Sequence, residues 1–441
     1  MKDELQNDQP FLPTLFPYLI FAMDQYYGVN ETYEVENVLE WEQFEWEQFE
    51  SAEIQNKKMK ILITTFWEYP FIGGLQNYIT ALKTGLENLG HSVHVIAPNH
   101  FPADEMKALR DSCSEKFSQF FINRYGSCNP KILHNISKLY SYYLMLEDID
   151  LSQYDIIHAQ DRYTANVIGL LNQSHQKPLL FTPHGFMTQN RLKFNLMEKG
   201  SVEEIYFSAI DKQAIKNANQ LIILCDVFRP FLINIGAEED KMTTVYTGID
   251  LEEWNIQKKV KNSQSKTVIT CISRLRPRKG HKYLFKALAL IKDKLKNVEV
   301  RIVGDGEMRK KLEKKVSELK LKNVSFLGSR EDVPKLLSES DIFVLPTTSD
   351  TLPISIIEAM FTNQAILTTN CGGIPEIIKD NYSGFIVEPA NPQQLAEKLL
   401  LLLQKKSLRK ELAGNAQAFA QQHLTVSTMV QKIEGIYRSL L

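Results

Sequence analysis

Ser349-Asp350-Thr351-Leu352-Pro353-Ile354-Ser355-Ile356-Ile357-Glu358-Ala359-Met360 comes just after the apolar run Ile342-Phe343-Val344-Leu345. That run has the length and continuous apolarity of a strand buried on both faces. The residues from Ile356 onward read as the start of a helix. Strand, polar loop and helix in this order belong to a parallel α/β sheet, which binds ligands beyond the carboxyl ends of its strands. Asp350 lies in the loop and Glu358 in the first helical turn. Two carboxylates at the mouth of such a crevice can accept hydrogen bonds from sugar hydroxyls.

Upstream, the strand Thr267–Cys271 runs into Ile272-Ser273-Arg274-Leu275-Arg276-Pro277-Arg278-Lys279-Gly280. Alone, this basic run reads as a solvated loop, because Arg276 and Arg278 share it with Arg274 and Lys279. The acid pair downstream turns the reading toward an anion site. Arg offers a planar fork of donors to phosphate oxygens and Lys a point charge. Glycine turns follow further strands at Val303-Gly304-Asp305-Gly306, at Leu327-Gly328-Ser329 and at Cys371-Gly372-Gly373. Each is weak by itself.

In this order the motifs resemble the family 4 retaining glycosyltransferases, the glycogen-synthase-like group with GT-B architecture. The resemblance covers roughly residues 59–441. It implies two facing doubly wound Rossmann-like domains with a cleft between them. It also implies a hexosyltransferase, retaining and metal-independent, with no cofactor. Arg274 and Lys279 match the Arg and Lys that stabilise the departing nucleoside diphosphate. Glu358 matches the acid that grips the donor ribose. Asp350 matches the acid that faces the transferred sugar, at a position where the family usually carries Glu. Gly304, Gly328, Ser329, Leu352 and Pro353 fall on donor-binding loops.

The amino-terminal half supplies a βαβ unit: the strand Met59–Thr65, the turn Phe71-Ile72-Gly73-Gly74, a helix through Ile79, Leu82, Leu86 and Leu89, and the strand Gly90–Ala97. Gly73 and Gly74 would let backbone amides approach a phosphate or an acceptor. The third glycine of a dinucleotide fingerprint is missing, which argues against a nicotinamide enzyme. Two more strands end in polar residues, Tyr154 to Asp161 and Leu179 to Gly185. The resemblance carries a donor-sugar contact to His184, in Thr182-Pro183-His184-Gly185. A lone histidine of this kind is otherwise a hydrogen-bonded structural residue. Asp161 is the acceptor-side candidate.

The chain of 441 residues carries a net charge of -2. Residues 1–56 hold thirteen carboxylates and one cation, so the remainder carries about +10. A basic body suits a dianionic nucleotide sugar. No nucleic-acid-reading motif is present, and the five cysteines show no metal-ligand spacing. With no apolar leader after Met1 and no long apolar span, a cytoplasmic location is expected. The helical stretch containing Lys131, Lys138, Tyr140 and Tyr143 has two readings, packing on its domain or peripheral contact with the inner membrane face.

The expected organisation is an acidic extension at 1–58, a first domain at 59–255 and a nucleotide-sugar domain at 256–415. A terminal helix at 416–441 is expected to cross back to the first domain. The extension contains the repeat Trp41–Glu45, Trp46–Glu50. The expected activity moves a hexose or N-acetylhexosamine from a nucleotide diphosphate sugar to a glycan, lipid or small-molecule acceptor, in glycan or glycoconjugate biosynthesis. A nucleotide-sugar epimerase of related architecture is one rival, distinguished by isomerised donor in a reaction without acceptor. A catalytically silent nucleotide-sugar-binding protein is the other, distinguished by binding without turnover.

Overall fold

The computed structural model describes residues 14–29, 57–71, 73–185, 187–250 and 266–441. The chain divides into two units. The first comprises residues up to 223, 228–243 and 433–441, and the second comprises 224–227 and 244–432. The expected boundary at 255/256 and the Trp41–Glu50 repeat lie outside the described residues.

The first unit is built on a six-stranded sheet. Its strands are β1 (Lys60–Thr64), β2 (Ser92–Ile96), β3 (Ile156–Ala159), β4 (Leu179–Phe181), β5 (Gln220–Ile223) and β6 (Met242–Thr244), in the order β2-β1-β3-β4-β5-β6. The pairs from β2 through β5 are parallel. β3 and β4 are buried along their whole length, as strands covered by helices on both faces must be. The second unit repeats the plan with β7 (Thr267–Ile272), β8 (Val298–Val303), β9 (Val324–Gly328), β10 (Ile342–Leu345), β11 (Ala365–Thr369) and β12 (Phe385–Val387), all parallel. Its order, β12-β11-β10-β7-β8-β9, is the doubly wound dinucleotide-fold order 3-2-1-4-5-6. The strand order reverses between β1 and β3 in the first unit and between β7 and β10 in the second. The loops that leave these strands are therefore where an α/β sheet opens a ligand crevice.

Of three sequence expectations, the first and third are corrected. The segment 1–58 is not wholly an extension, because Pro17–Tyr27 is a helix that packs on the helix Val202–Asn217. Pro17 stands in its first turn, where the missing N–H costs nothing, and Gly28 ends it in the left-handed conformation. Phe16, Leu19, Ile20 and Met23 are buried, with Phe16 edge-on to Tyr140 at 5.2 Å. Asp24 accepts two bonds from Arg124, at 2.7 and 2.8 Å, and one from the Tyr125 hydroxyl at 2.8 Å. The acidic composition of the surrounding sequence hid a stretch with helical apolar spacing.

The second concerns the helix Pro130–Leu146, for which the sequence left packing and membrane contact open, and the packing is observed. It packs on the helix Ala103–Tyr125, and Ile132, Ile136, Leu139, Tyr140, Tyr142 and Leu144 are all buried. Among the described residues no helix is long and apolar enough to cross a membrane.

The third concerns the terminal segment, which is not one helix from 416. One helix, Lys406–His423, ends at Leu424, and another, Val426–Arg438, follows. Tyr437, fully buried, meets His158 Nδ1 at 2.7 Å, while Thr182 Oγ1 meets Nε2 at 2.7 Å. Burial, with His184 nearby, pushes the His158 pKa down to about 3, so this imidazole is a neutral structural bridge between β3, β4 and the chain end.

These contacts make the amino-terminal helix part of the first unit's stability. A chain begun at Met59 loses five buried apolar side chains, Leu15 among them, each worth about 1.5–3 kcal/mol, and removes the Asp24 carboxylate from Arg124. Such a truncation is expected to unfold at lower temperature and less cooperatively than the full chain. Asp24→Asn alone should cost about 3 kcal/mol. Calorimetry of both variants checks this, and a truncated chain melting like the full chain would contradict it.

Candidate active site

The basic and acidic motifs of the second unit leave β7 and β10 side by side. Glycine makes their contact possible. Gly280 has φ +73, and a Cβ there would stand 1.8 Å from the Pro346 carbonyl oxygen. Gly372 repeats the device with φ +56, its Cβ position 2.0 Å from the Asp350 carbonyl oxygen. Three loops, 273–280, 346–353 and 370–373, thus pack backbone against backbone, closer than side chains permit. The Thr348 N–H donates to the Arg278 carbonyl at 2.7 Å, and the Gly373 N–H donates to the Thr351 carbonyl at 2.7 Å.

Lys279 Nζ donates to Asp350 Oδ2, and Arg278 donates to Asp350 Oδ1 at 2.9 Å. The Asp350 N–H points at Cys371 Sγ, 3.2 Å away. Lys279 and Asp350 are largely buried, each with 11 % of its side chain exposed. Arg274 is exposed on the same loop, and no described side chain pairs with it. Behind the loop, His281 is buried and lies 3.2 Å from the Ser273 hydroxyl. Burial, then Lys279, lowers its pKa to about 4, so the ring adds no positive charge.

Pro353 precedes the helix Ile354–Phe361, and Leu352 is buried beneath it. Glu358 is the fifth residue of that helix, one turn later than the sequence indicates. Burial alone raises its pKa to about 7, and no described cation faces it. A carboxyl in this state is poised to accept hydrogen bonds from a ligand. Gly304 and Gly328 stand at the ends of β8 and β9, joined by a 2.7 Å bond from the Gly304 N–H to the Gly328 carbonyl. Ser329 follows, exposed.

In the first unit, Gly73 precedes the helix Gly74–Asn88 at the carboxyl end of β1. That helix brings Tyr78 edge-on to His184, 4.8 Å between ring centroids. His184 Nε2 lies 3.0 Å from Gln160 Oε1, and burial lowers its pKa to about 3, so the ring is neutral. Asp161 is engaged otherwise. It caps the helix Arg162–Leu171 through the N–H groups of Tyr163 and Thr164, at 2.9 and 3.0 Å. Its other oxygen accepts from the Phe66 N–H at 2.6 Å and lies 3.3 Å from the Thr65 hydroxyl. These four donors tie the loop after β1 to the helix after β3 through Asp161.

Sequence reasoning missed Arg278, counted there only as one more surface cation, and Cys371. It also missed Glu376, whose carboxylate accepts from the N–H groups of Asp226 and Val227 at 2.8 and 3.0 Å. These contacts join loops far apart in sequence, and no local spacing announces them.

Two Rossmann-type units, with cationic and acidic loops meeting at a switch point, define a glycosyltransferase of the GT-B class. The model of the glycosyl transferases group 1 matches residues 252–419, and that of Glycosyltransferase Family 4 matches residues 72–253. The chain belongs to the family 4 glycosyltransferases. It is similar to an uncharacterised glycosyltransferase of Methanocaldococcus jannaschii, 24% identical over 87% of this chain and 99% of that one. It is also similar to the UDP-Gal:alpha-D-GlcNAc-diphosphoundecaprenol alpha-1,3-galactosyltransferase of Escherichia coli, 24% identical over 86% of this chain and 97% of that one. The crystal structure of Anabaena HepE in complex with UDP-glucose shares the fold. Its TM-score is 0.63 at 21% identity, covering 86% of this chain and all of the other.

The desolvated Glu358 gives a signed expectation. Its folded pKa, about 7, lies above the ordinary 4.5. Below pH 4.5 both folded and unfolded states hold the proton and the residue costs nothing. The cost grows as pH rises toward 7 and is complete above it, at most about 3 kcal/mol. Glu358→Gln should therefore raise the melting temperature of the ligand-free protein at pH 8, and the gain should vanish by pH 4.5. Melting curves across that range check it, and a pH-independent difference would contradict it.

Proposed function

We propose that this glycosyltransferase moves a hexose or N-acetylhexosamine from a nucleoside diphosphate sugar to an acceptor hydroxyl, with retention of anomeric configuration and with protein cations, not a divalent ion, taking the leaving-group charge. The observation that carries this reading is the meeting of Lys279 with Asp350 where β7 and β10 part, with Arg274 exposed on the same loop. A donor seated there has its diphosphate against the cations and its sugar against the carboxylate.

The bond from the anomeric carbon to the phosphate oxygen breaks, and its electron pair leaves with the nucleoside diphosphate. Arg274 and Lys279 stabilise the developing charge. The acceptor hydroxyl attacks the face that the phosphate leaves and passes its proton to the departing phosphate oxygen. No enzymic nucleophile is required, and catalysis rests on orientation and charge. Asp350 accepts hydrogen bonds from the sugar, and Glu358 from the ribose. His184, neutral, offers a hydrogen bond to the transferred sugar. The E. coli relative acts on a sugar carried by diphosphoundecaprenol, which supports a glycoconjugate as acceptor. The HepE complex supports a UDP-hexose as donor.

A thermal-shift screen of nucleotide sugars, followed by donor hydrolysis with each hit, tests the reading. Arg274→Ala or Lys279→Ala should lower turnover by about 10²–10³-fold, with unfolding temperature changed little by the exposed Arg274. The rate should survive a chelator, and proton NMR should show the donor's anomeric configuration kept in the product. Wild-type turnover by the folded double variant, or inversion, would overturn the proposal.

A further inference from the structure

The Asp350 carboxylate has two cationic partners, and they are held differently. Among the described residues, the Lys279 ammonium donates to Asp350 Oδ2 alone. Arg278 is braced to the acidic loop in both directions. Its guanidinium donates to the Ser349 carbonyl at 3.0 Å as well as to Asp350 Oδ1 at 2.9 Å. Its own carbonyl accepts from the Thr348 N–H at 2.7 Å and lies 3.0 Å from the hydroxyls of Thr347 and Thr348. A diphosphate entering the site competes with Asp350 for Lys279, because a point charge on a flexible stem can change partners. Pulling the Arg278 guanidinium away breaks two bonds, those to the Ser349 carbonyl and to Asp350 Oδ1.

We propose that Arg278 is a positioning residue: it keeps the Asp350 carboxylate oriented toward the transferred sugar when the donor's diphosphate draws Lys279 away. This rests on the roles given above to Asp350 and Lys279. Asp is one methylene shorter than Glu, so its oxygens reach less far from the loop, and a fixed guanidinium sets where they point. In the empty site the two cations share one carboxylate, which leaves one positive charge unbalanced. In the occupied site the phosphate takes Lys279, and Arg278 remains as the counter-ion of Asp350.

The test is a double-mutant cycle of Arg278→Gln and Asp350→Asn in the full chain, reading donor hydrolysis and, by calorimetry, affinity for free UDP. Arg278→Gln is expected to lower kcat about ten- to a hundredfold, leaving the Kd for UDP within about twofold. Arg278→Lys should recover part of the loss. In the Asp350→Asn background, Arg278→Gln should cost almost nothing further. UDP binding by each variant shows that the second unit is folded. An equal loss from Arg278→Gln in both backgrounds would overturn the proposal, since the residue would then act without Asp350. So would UDP affinity falling as far as kcat, which would place Arg278 on the phosphate. Unchanged turnover in Asp350→Asn alone, with UDP still bound, would instead overturn the Asp350 assignment, and the role of Arg278 with it.

Discussion

The constraint on which the second unit's site depends is steric. A carbonyl oxygen, that of Pro346, occupies the space a side chain at residue 280 would need. That single approach brings the loop after β7 against the loop after β10, and it puts Lys279 on Asp350. A second close approach, of Gly372 to the Asp350 carbonyl, fixes the acidic loop from its other side. Any side chain at either glycine would also have to adopt a left-handed backbone. The charged groups are thus arranged by main-chain packing, before their own attraction contributes. Opposite charges this close would pair in many geometries, and the backbone selects one.

The electrostatic state of the site follows from burial. Histidines 184 and 281 are both driven neutral by desolvation. The cationic character of the loop after β7 therefore rests on Arg and Lys, whose charge does not change across the physiological range. Glu358 carries the opposite penalty: a carboxyl held out of water with no described cation beside it. A protein that retains such a group gives up stability at that position, a pattern expected where a group serves a ligand and not the fold.

Much of this was legible in the sequence because it is local. Continuous apolar runs marked β10 and β4 as buried strands, and the basic and acidic loops are contiguous motifs. What stayed hidden was tertiary. The four bonds to Asp161 come from two segments almost a hundred residues apart, so no local spacing announces its part in capping a helix. Arg278 shares its run with Arg276, which is exposed, and only the position of Ser349 and Asp350 separates them. The helix Pro17–Tyr27 was obscured for a compositional reason, since it sits within a strongly acidic stretch. The helix from Pro130 left two readings open, because lysines and tyrosines can snorkel from a core as readily as lie on a bilayer.

The first unit is closed by the two ends of the chain: the helix at 17–27 and the residues from 433 onward. On the ribosome this sets an order of events. By the time β6 has been made, the sheet's strands all exist, yet the partner of His158 is still almost two hundred residues from synthesis. At roughly 5–20 residues per second, tens of seconds pass before Tyr437 emerges. Throughout that interval a nascent first unit keeps an imidazole and the surrounding apolar surface without their cover. A chain that stops before Tyr437 keeps them so permanently.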